Sequence, residues 1–168
     1  MNFIETSTYK TPKDWKVAKL KNIIEFRNGN RPVFSEKGEY KVYGANGVMG
    51  MSNKFLIDKN FALIIGRVGA SGEIHLATGK FWVSDNAIYS MNYDLRKIEM
   101  TFLYYLLKFK NLKKLATRST HPILTQTQIN NLKIPLPPLP EQQKIAEILG
   151  TVDGAIEKVD LAIEKTER

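Results

Sequence analysis

Six apolar side chains, Ile145, Leu149, Val152, Ile156, Val159 and Ile163, recur at alternating intervals of four and three residues near the carboxyl end of the chain. A period of 3.5 residues draws a stripe along one side of a helix and keeps it facing a second helix over its whole length. With Ile145 taken as a d position, Ile148, Ala155 and Ala162 fall at g and widen the stripe, while Asp153, Asp160 and Glu167 line the e edge. Gly150 and Gly154 each weaken an isolated helix by about 1 kcal/mol relative to alanine, and three heptads are marginal alone. A helix over 141–168 therefore needs something to pack on. The choices are a second helix or, less in keeping with its terminal position, its own domain. Directly before it stands Ile134-Pro-Leu-Pro-Pro-Leu-Pro140. Proline fixes φ and restricts the residue before it, so 135–140 reads as a stiff hinge.

At 168 residues the chain has room for one ordinary domain with an appendage. Its net charge of +8 is unevenly placed: residues 141–168 hold 4 Lys/Arg against 7 Asp/Glu, leaving the preceding 140 residues at +11. A compact basic body suits nucleic acid, because each phosphate it neutralises releases condensed counterions. The plainer reading of the same charge is a solvated surface. The sequence has no cysteine, which excludes disulfides and thiolate metal sites and fits a reducing compartment. The amino terminus lacks the basic start and apolar run of a secretion signal, and no window reaches the roughly 18 apolar residues of a membrane span. The expectation is a cytoplasmic globular protein with no membrane partner.

Along the body, Trp15, Val17 and Leu20 suggest a short strand entering a helical turn over Leu20–Phe26, with Trp15 as a core anchor. Asn28-Gly29 and Asn46-Gly47 are tight-turn signals. Between turns lie β-prone runs at Tyr40–Tyr43, Phe61–Ile65, Glu73–Ala77, Phe81–Val83 and Ala87–Met91, with connections too short for crossover helices; the sheet should be antiparallel or mixed. From Glu99 the spacing of Leu103, Leu106 and Leu107 predicts a helix with lysines toward its end. Arg118–Thr125 reads as a loop, a short helix should start near Thr125 or Thr127, and Leu132–Ile134 looks like a last strand. The fold class is thus α+β: a mixed or antiparallel β-rich domain at 1–134, a hinge at 135–140 and a long coiled-coil-type helix at 141–168.

Signatures of catalysis are missing. Gly66-Arg-Val-Gly-Ala-Ser-Gly72 matches neither a dinucleotide fingerprint nor a P-loop and reads as a turn, although Arg67 beside it could reach a phosphate or a guanine edge. His75 and His121 stand alone, without metal-ligand spacing. There is no G-x-S-x-G. Glu39-Tyr-Lys41 has the tail of a nuclease pattern without its upstream acid, and neither an Asp/Asn-Pro-Pro-aromatic element nor a cofactor glycine motif of a methyltransferase is present. The chain is expected to be non-catalytic.

Ile134-Pro-Leu-Pro-Pro-Leu-Pro-Glu-Gln-Gln-Lys-Ile-Ala-Glu-Ile-Leu149 strongly resembles the segment that closes each target recognition domain in specificity subunits of type I restriction-modification systems. The resemblance extends to Pro12–Leu20, to Ile65–Gly72 with Trp82–Ala87, and to Leu124–Ile129, in the family's order. It implies a body that reads double-stranded DNA and a helix that acts as spacer and docks methyltransferase subunits, with restriction subunits joining through the complex. S-adenosylmethionine, ATP and Mg2+ would sit on those partners and no cofactor on this chain. The family usually carries two recognition domains and two antiparallel helices. One of each here implies a half-subunit, either natural or truncated, and pairing two copies as a homodimer through Ile145, Leu149, Val152, Ile156, Val159 and Ile163 would restore the usual arrangement. Expected DNA contacts, in or beside predicted turns, are Arg31, Asn46, Arg67, Ser71, Lys80, Arg118, Ser119 and His121. Two other classes compete: a nuclease or methyltransferase acting alone, and an assembly protein without DNA affinity.

Overall fold

The structure, a computed structural model, describes residues 3–6, 9–12 and 14–166. A short ribbon pairs β1 (Phe3–Thr6) with β2 (Tyr9–Pro12), and a second pairs β3 (Lys16–Lys19) with β10 (Lys133–Leu136). The main sheet contains β4 (Ile24–Asn28), β5 (Tyr40–Gly44), β6 (Gly47–Ser52), β7 (Ile57–Gly66), β8 (Ile74–Val83) and β9 (Ala87–Tyr93). Its order is β4-β9-β7-β8-β5-β6, antiparallel throughout except for β5 beside β8, so the expected mixed sheet is present. Among the described residues the α-helices are α1 (Met100–Lys110), α2 (Gln126–Asn131) and α3 (Leu139–Thr166).

Strand β7 explains how one sheet supports two cores. Ala62–Ile65 is an unbroken apolar run, buried on both faces, and successive strand side chains point to opposite sides. Leu63 and Ile65 join Leu20, Phe26, Leu103 and Leu107 under the helices, whereas Ala62 and Ile64 join Phe81, Val83 and Tyr89 on the other face. A bulge between Lys59 and Ala62 bends the long β7–β8 hairpin. The far end of β8 thereby returns to the hairpin's own connecting loop: the N–H groups of Arg67 and Val68 both donate to Asn86 O, at 2.9 and 3.2 Å.

Local signals mostly act as their chemistry suggests. Asn46-Gly47 closes the β5–β6 hairpin, with Gly47 at φ +97°. Thr125 caps α2, its hydroxyl accepting from Gln128 N–H while Gln128 Oε1 accepts from Thr125 N–H. Glu99 caps α1, and Lys108 and Lys110 occupy its last turn. Several expectations change. Asn28-Gly29 is not a hairpin turn; a side chain at Gly29 would meet Ser84 O at 2.2 Å, so the glycine serves a close backbone approach. The helical turn stops at Asn22, and Ile24–Phe26 alternates into β4. Glu73–Ala77 and Phe81–Val83 merge into β8. Trp15 is half-buried rather than a core anchor, and its Nε1 donates to Glu141 Oε2 at 3.1 Å.

The last helix begins at Leu139, inside the segment read as hinge, because Pro140 sits in the first turn where a missing N–H costs nothing. Pro135 lies in β10, paired with Val17. Glu167, read as an e-edge acid, falls outside the described residues.

Candidate nucleic-acid interface

The curl of the β7–β8 hairpin gathers five connections at one end of the sheet. The β8–β9 turn is fastened to β5 by Ser84 N–H donating to Tyr43 O at 2.8 Å. The segment after β4 is fastened to it in turn, since Asn30 N–H donates to Val83 O at 3.0 Å and Trp82 Nε1 donates to Asn30 O at 3.0 Å. A side chain at Gly66 would meet Ala45 O at 2.6 Å, which brings the β5–β6 tip against the β7–β8 loop. The fifth connection, Thr117–Leu124, is stitched to that loop by a Val68–Ile123 bridge and by Leu124 N–H donating to Arg67 O at 2.9 Å. A cleft of ≈ 370 Å³ opens where they meet, lined by residues 44–49, Val68 and Asn86.

Seven of the eight expected contact residues lie on these connections. Arg31, Asn46, Arg118, Ser119 and His121 are exposed, and Arg67 is half-buried with its guanidinium 3.4 Å from Asp85 O. The loop carrying Arg118 is closed on itself, with Ile123 N–H donating to Thr117 Oγ1 at 2.9 Å and Ser119 Oγ donating to His121 O at 2.8 Å. Ser71 departs from the expected outward position: it is buried, and its hydroxyl lies 2.8 Å from Arg67 O and 2.5 Å from Pro122 O, bracing one loop against the other. Lys80 stands apart on β8 opposite Asp58, its ammonium 4.9 Å from the Phe55 ring centre. Asn86, exposed in the cleft wall, was missed by the sequence reading. Its only signal is the polar pair Asp85-Asn86 after a strand.

Charge at this end is predominantly positive. Arg31, Arg67 and Arg118 are joined by Lys113 and Lys114 on the 3-10 turn Leu112–Leu115, which packs against Gly72. Lys113 pairs with Glu73 and holds that carboxyl below its usual range. Guanidinium and ammonium groups on rigidly tied loops, interleaved with Asn46, Asn86 and Ser119, can take phosphate oxygens and base-edge acceptors together. Among the described residues no cluster of three or more His, Asp or Glu is placed to hold a metal ion, and no helix is long and apolar enough to cross a membrane.

The apolar stripe has two different surroundings along α3. Ile145 packs against the body core and Ala146 is buried. Farther on, Leu149, Val152, Ile156, Val159 and Ile163 are 38–57% exposed, a row that nothing in the described chain covers. Asp153, on the e edge, accepts from Tyr105 of α1 at 2.9 Å; burial, then this carboxylate, raises the phenol to about 12.

Comparisons with known proteins address the fold and the family. The MjaVIII type I restriction enzyme specificity subunit of Methanocaldococcus jannaschii is 29% identical over 97% of this chain and 41% of its own length. The putative MjaX specificity subunit of the same organism is 32% identical over 97% of this chain and 45% of its own. The chain thus spans less than half the length of these relatives. The crystal structure of a type I restriction-modification S subunit from M. genitalium superposes with a TM-score of 0.77 at 23% identity, covering 89% of this chain and 42% of that one. The family model for the type I restriction modification DNA specificity domain matches residues 12–165, and the chain belongs to that family.

Proposed function

We propose that this chain is a sequence-specific DNA-recognition module of a type I restriction-modification complex, acting as a half specificity subunit. The body through β10 reads DNA, Pro137 and Pro138 turn the chain, and the helix from Leu139 pairs with the same helix of a second copy. The observation that carries the reading is the convergence of five tied loops bearing Arg31, Arg67 and Arg118 at one end of the sheet. Ser71 acts as a brace in this scheme, and Asn46, Arg67, Asn86, Arg118, Ser119 and His121 face the DNA grooves.

Two copies joined through Leu149, Val152, Ile156, Val159 and Ile163 read an interrupted, symmetric site. The 28-residue α3 is about 42 Å long, a little more than one turn of duplex. The chain performs no catalysis. It works in the cytoplasm and directs methyltransferase and restriction subunits, which supply S-adenosylmethionine, ATP and Mg2+.

A titration of duplex DNA binding against salt tests the reading. Five or so phosphate contacts give a log–log slope steeper than about −4, whereas an assembly protein shows little affinity at any salt. Specific cleavage with Mg2+ or methylation with S-adenosylmethionine by the rigorously purified chain would establish the stand-alone enzyme instead.

A further inference from the structure

The polar side chain most completely enclosed in α3 is Gln142, with no solvent exposure. All of its side-chain hydrogen-bonding groups are used. Nε2 donates to Lys97 O at 3.1 Å and to Pro137 O at 2.9 Å, and Oε1 accepts from Glu99 N–H at 2.9 Å. Those partners lie on the segment that leads into α1 and on the residues that leave β10, so one amide ties three parts of the chain. Glu99 is simultaneously the cap of α1, its carboxylate accepting from Phe102 N–H. Two outer contacts flank the amide: Trp15 Nε1 donates to Glu141, and Tyr105 donates to Asp153 just over three turns farther along.

We infer that Gln142 is a positioning residue that locks the tilt and roll of α3 on the reading body, and through them the spacing between the two half-sites that a pair of chains can bind. The spacing consequence rests on the function proposed above; the lock does not. Directional bonds at a single residue suit this task better than apolar contact, which tolerates sliding. Rotating a helix by one residue turns its faces by about 100°, which would swing the stripe from Leu149 to Ile163 away from any partner. From Gln142 to Thr166 the helix runs about 36 Å, so a tilt of about 10° at the joint displaces its far end by about 6 Å, close to two base-pair rises. Desolvated amide bonds are costly to break singly, because each leaves a buried group unpaired.

The cysteine-free sequence permits a direct test. Spin labels at Thr78→Cys and Glu157→Cys, both exposed positions, report the body-to-helix distance by pulsed electron paramagnetic resonance in chains diluted with unlabelled protein. A narrow distribution is expected for the parent, and one at least twice as wide for Gln142→Met, which keeps length and removes the amide. Equal widths overturn the lock. If Gln142→Met reduces the folded fraction, Gln142→Asn takes its place, since it keeps an amide but withdraws it by one methylene from Lys97 O, Pro137 O and Glu99 N–H. It should broaden the distribution by a smaller factor, and an unchanged width again overturns the lock. In the second arm, chains assembled with the cognate methyltransferase are offered duplexes whose half-sites are one base pair closer or farther apart. The parent should prefer one spacing by tenfold or more and Gln142→Met by less than threefold. Broadening without relaxed spacing overturns the role in spacing. Failure of the parent to bind any duplex refutes the proposed function instead, leaving the distance result in force.

Discussion

The first two turns of α3 and its last four follow one heptad pattern, yet they have opposite surroundings. Near the hinge, Gln142 and Ala146 are sealed into the body and Ile145 packs on its core. From Leu149 onward the same face is open, with Ile156 54% exposed and Val159 57% exposed. An apolar period specifies which residues share a side of a helix, but what covers that side depends on where neighbouring segments end. Here α1 runs 11 residues, and Tyr105 is the side chain that reaches Asp153. The difference separates a joint, which belongs to the domain, from an arm whose apolar row the described chain leaves open.

The strongest way to break this comparison is a charge in the joint. Ala146→Asp places an unpaired carboxylate in an apolar site and should cost about 3 kcal/mol of folding stability, seen as a lower urea midpoint. A midpoint within error of the parent would show the joint to be as open as the arm. The complementary change, Ile156→Asp, should leave that midpoint unchanged while weakening self-association by about 30-fold, roughly 2 kcal/mol, measured by sedimentation velocity. A dimer of undiminished strength would put the contact elsewhere.

Smaller effects should touch neither half of the helix. Arg118→Ala is expected to weaken DNA binding by about 1 kcal/mol and reduce the salt slope by about one, with folding and dimerisation intact. The Glu73–Lys113 pair is weaker still. Its carboxyl is held below the ordinary value near 4.5 by Lys113, so its stabilisation is complete above that value and fades as pH falls through the folded one. Glu73→Gln should therefore lower stability by about 0.5 kcal/mol or less at pH 7, and by progressively less as the pH is taken down below 4.5, in thermal melts across that range.

The parts legible in the sequence are those governed by neighbours in the chain. Thr125 and Gln128 form their capping box three residues apart, and the Asn46-Gly47 hairpin forms within four. Strand β6 went unread because Gly47-Val-Met-Gly-Met-Ser52 has little β propensity and is held by its pairing with β5. Strand β4 went unread although Ile24 and Phe26 alternate with exposed Arg27, since a short run next to a helical turn fits either period.

In the candidate interface, Arg67 and Arg118 were recognisable as cations in loops. The joining of those two loops was not, because it arises from a bridge between Val68 and Ile123. Ser71 shows the same limit in reverse: a small hydroxyl among glycines suggests a surface, but Pro122 O, 51 residues away, draws it inward.

By itself the sequence determined the rod, its apolar stripe, the basic body and the family resemblance, since periodicity, net charge and contiguous motifs are properties of residue order. Only the tertiary structure decided where the stripe stops being core and becomes free surface, which loops share one end of the sheet, and that Gln142 is enclosed. Those facts depend on contacts between segments about 20 to 120 residues apart, whose encounter is set by the bend of β7–β8 and the register of β3 with β10.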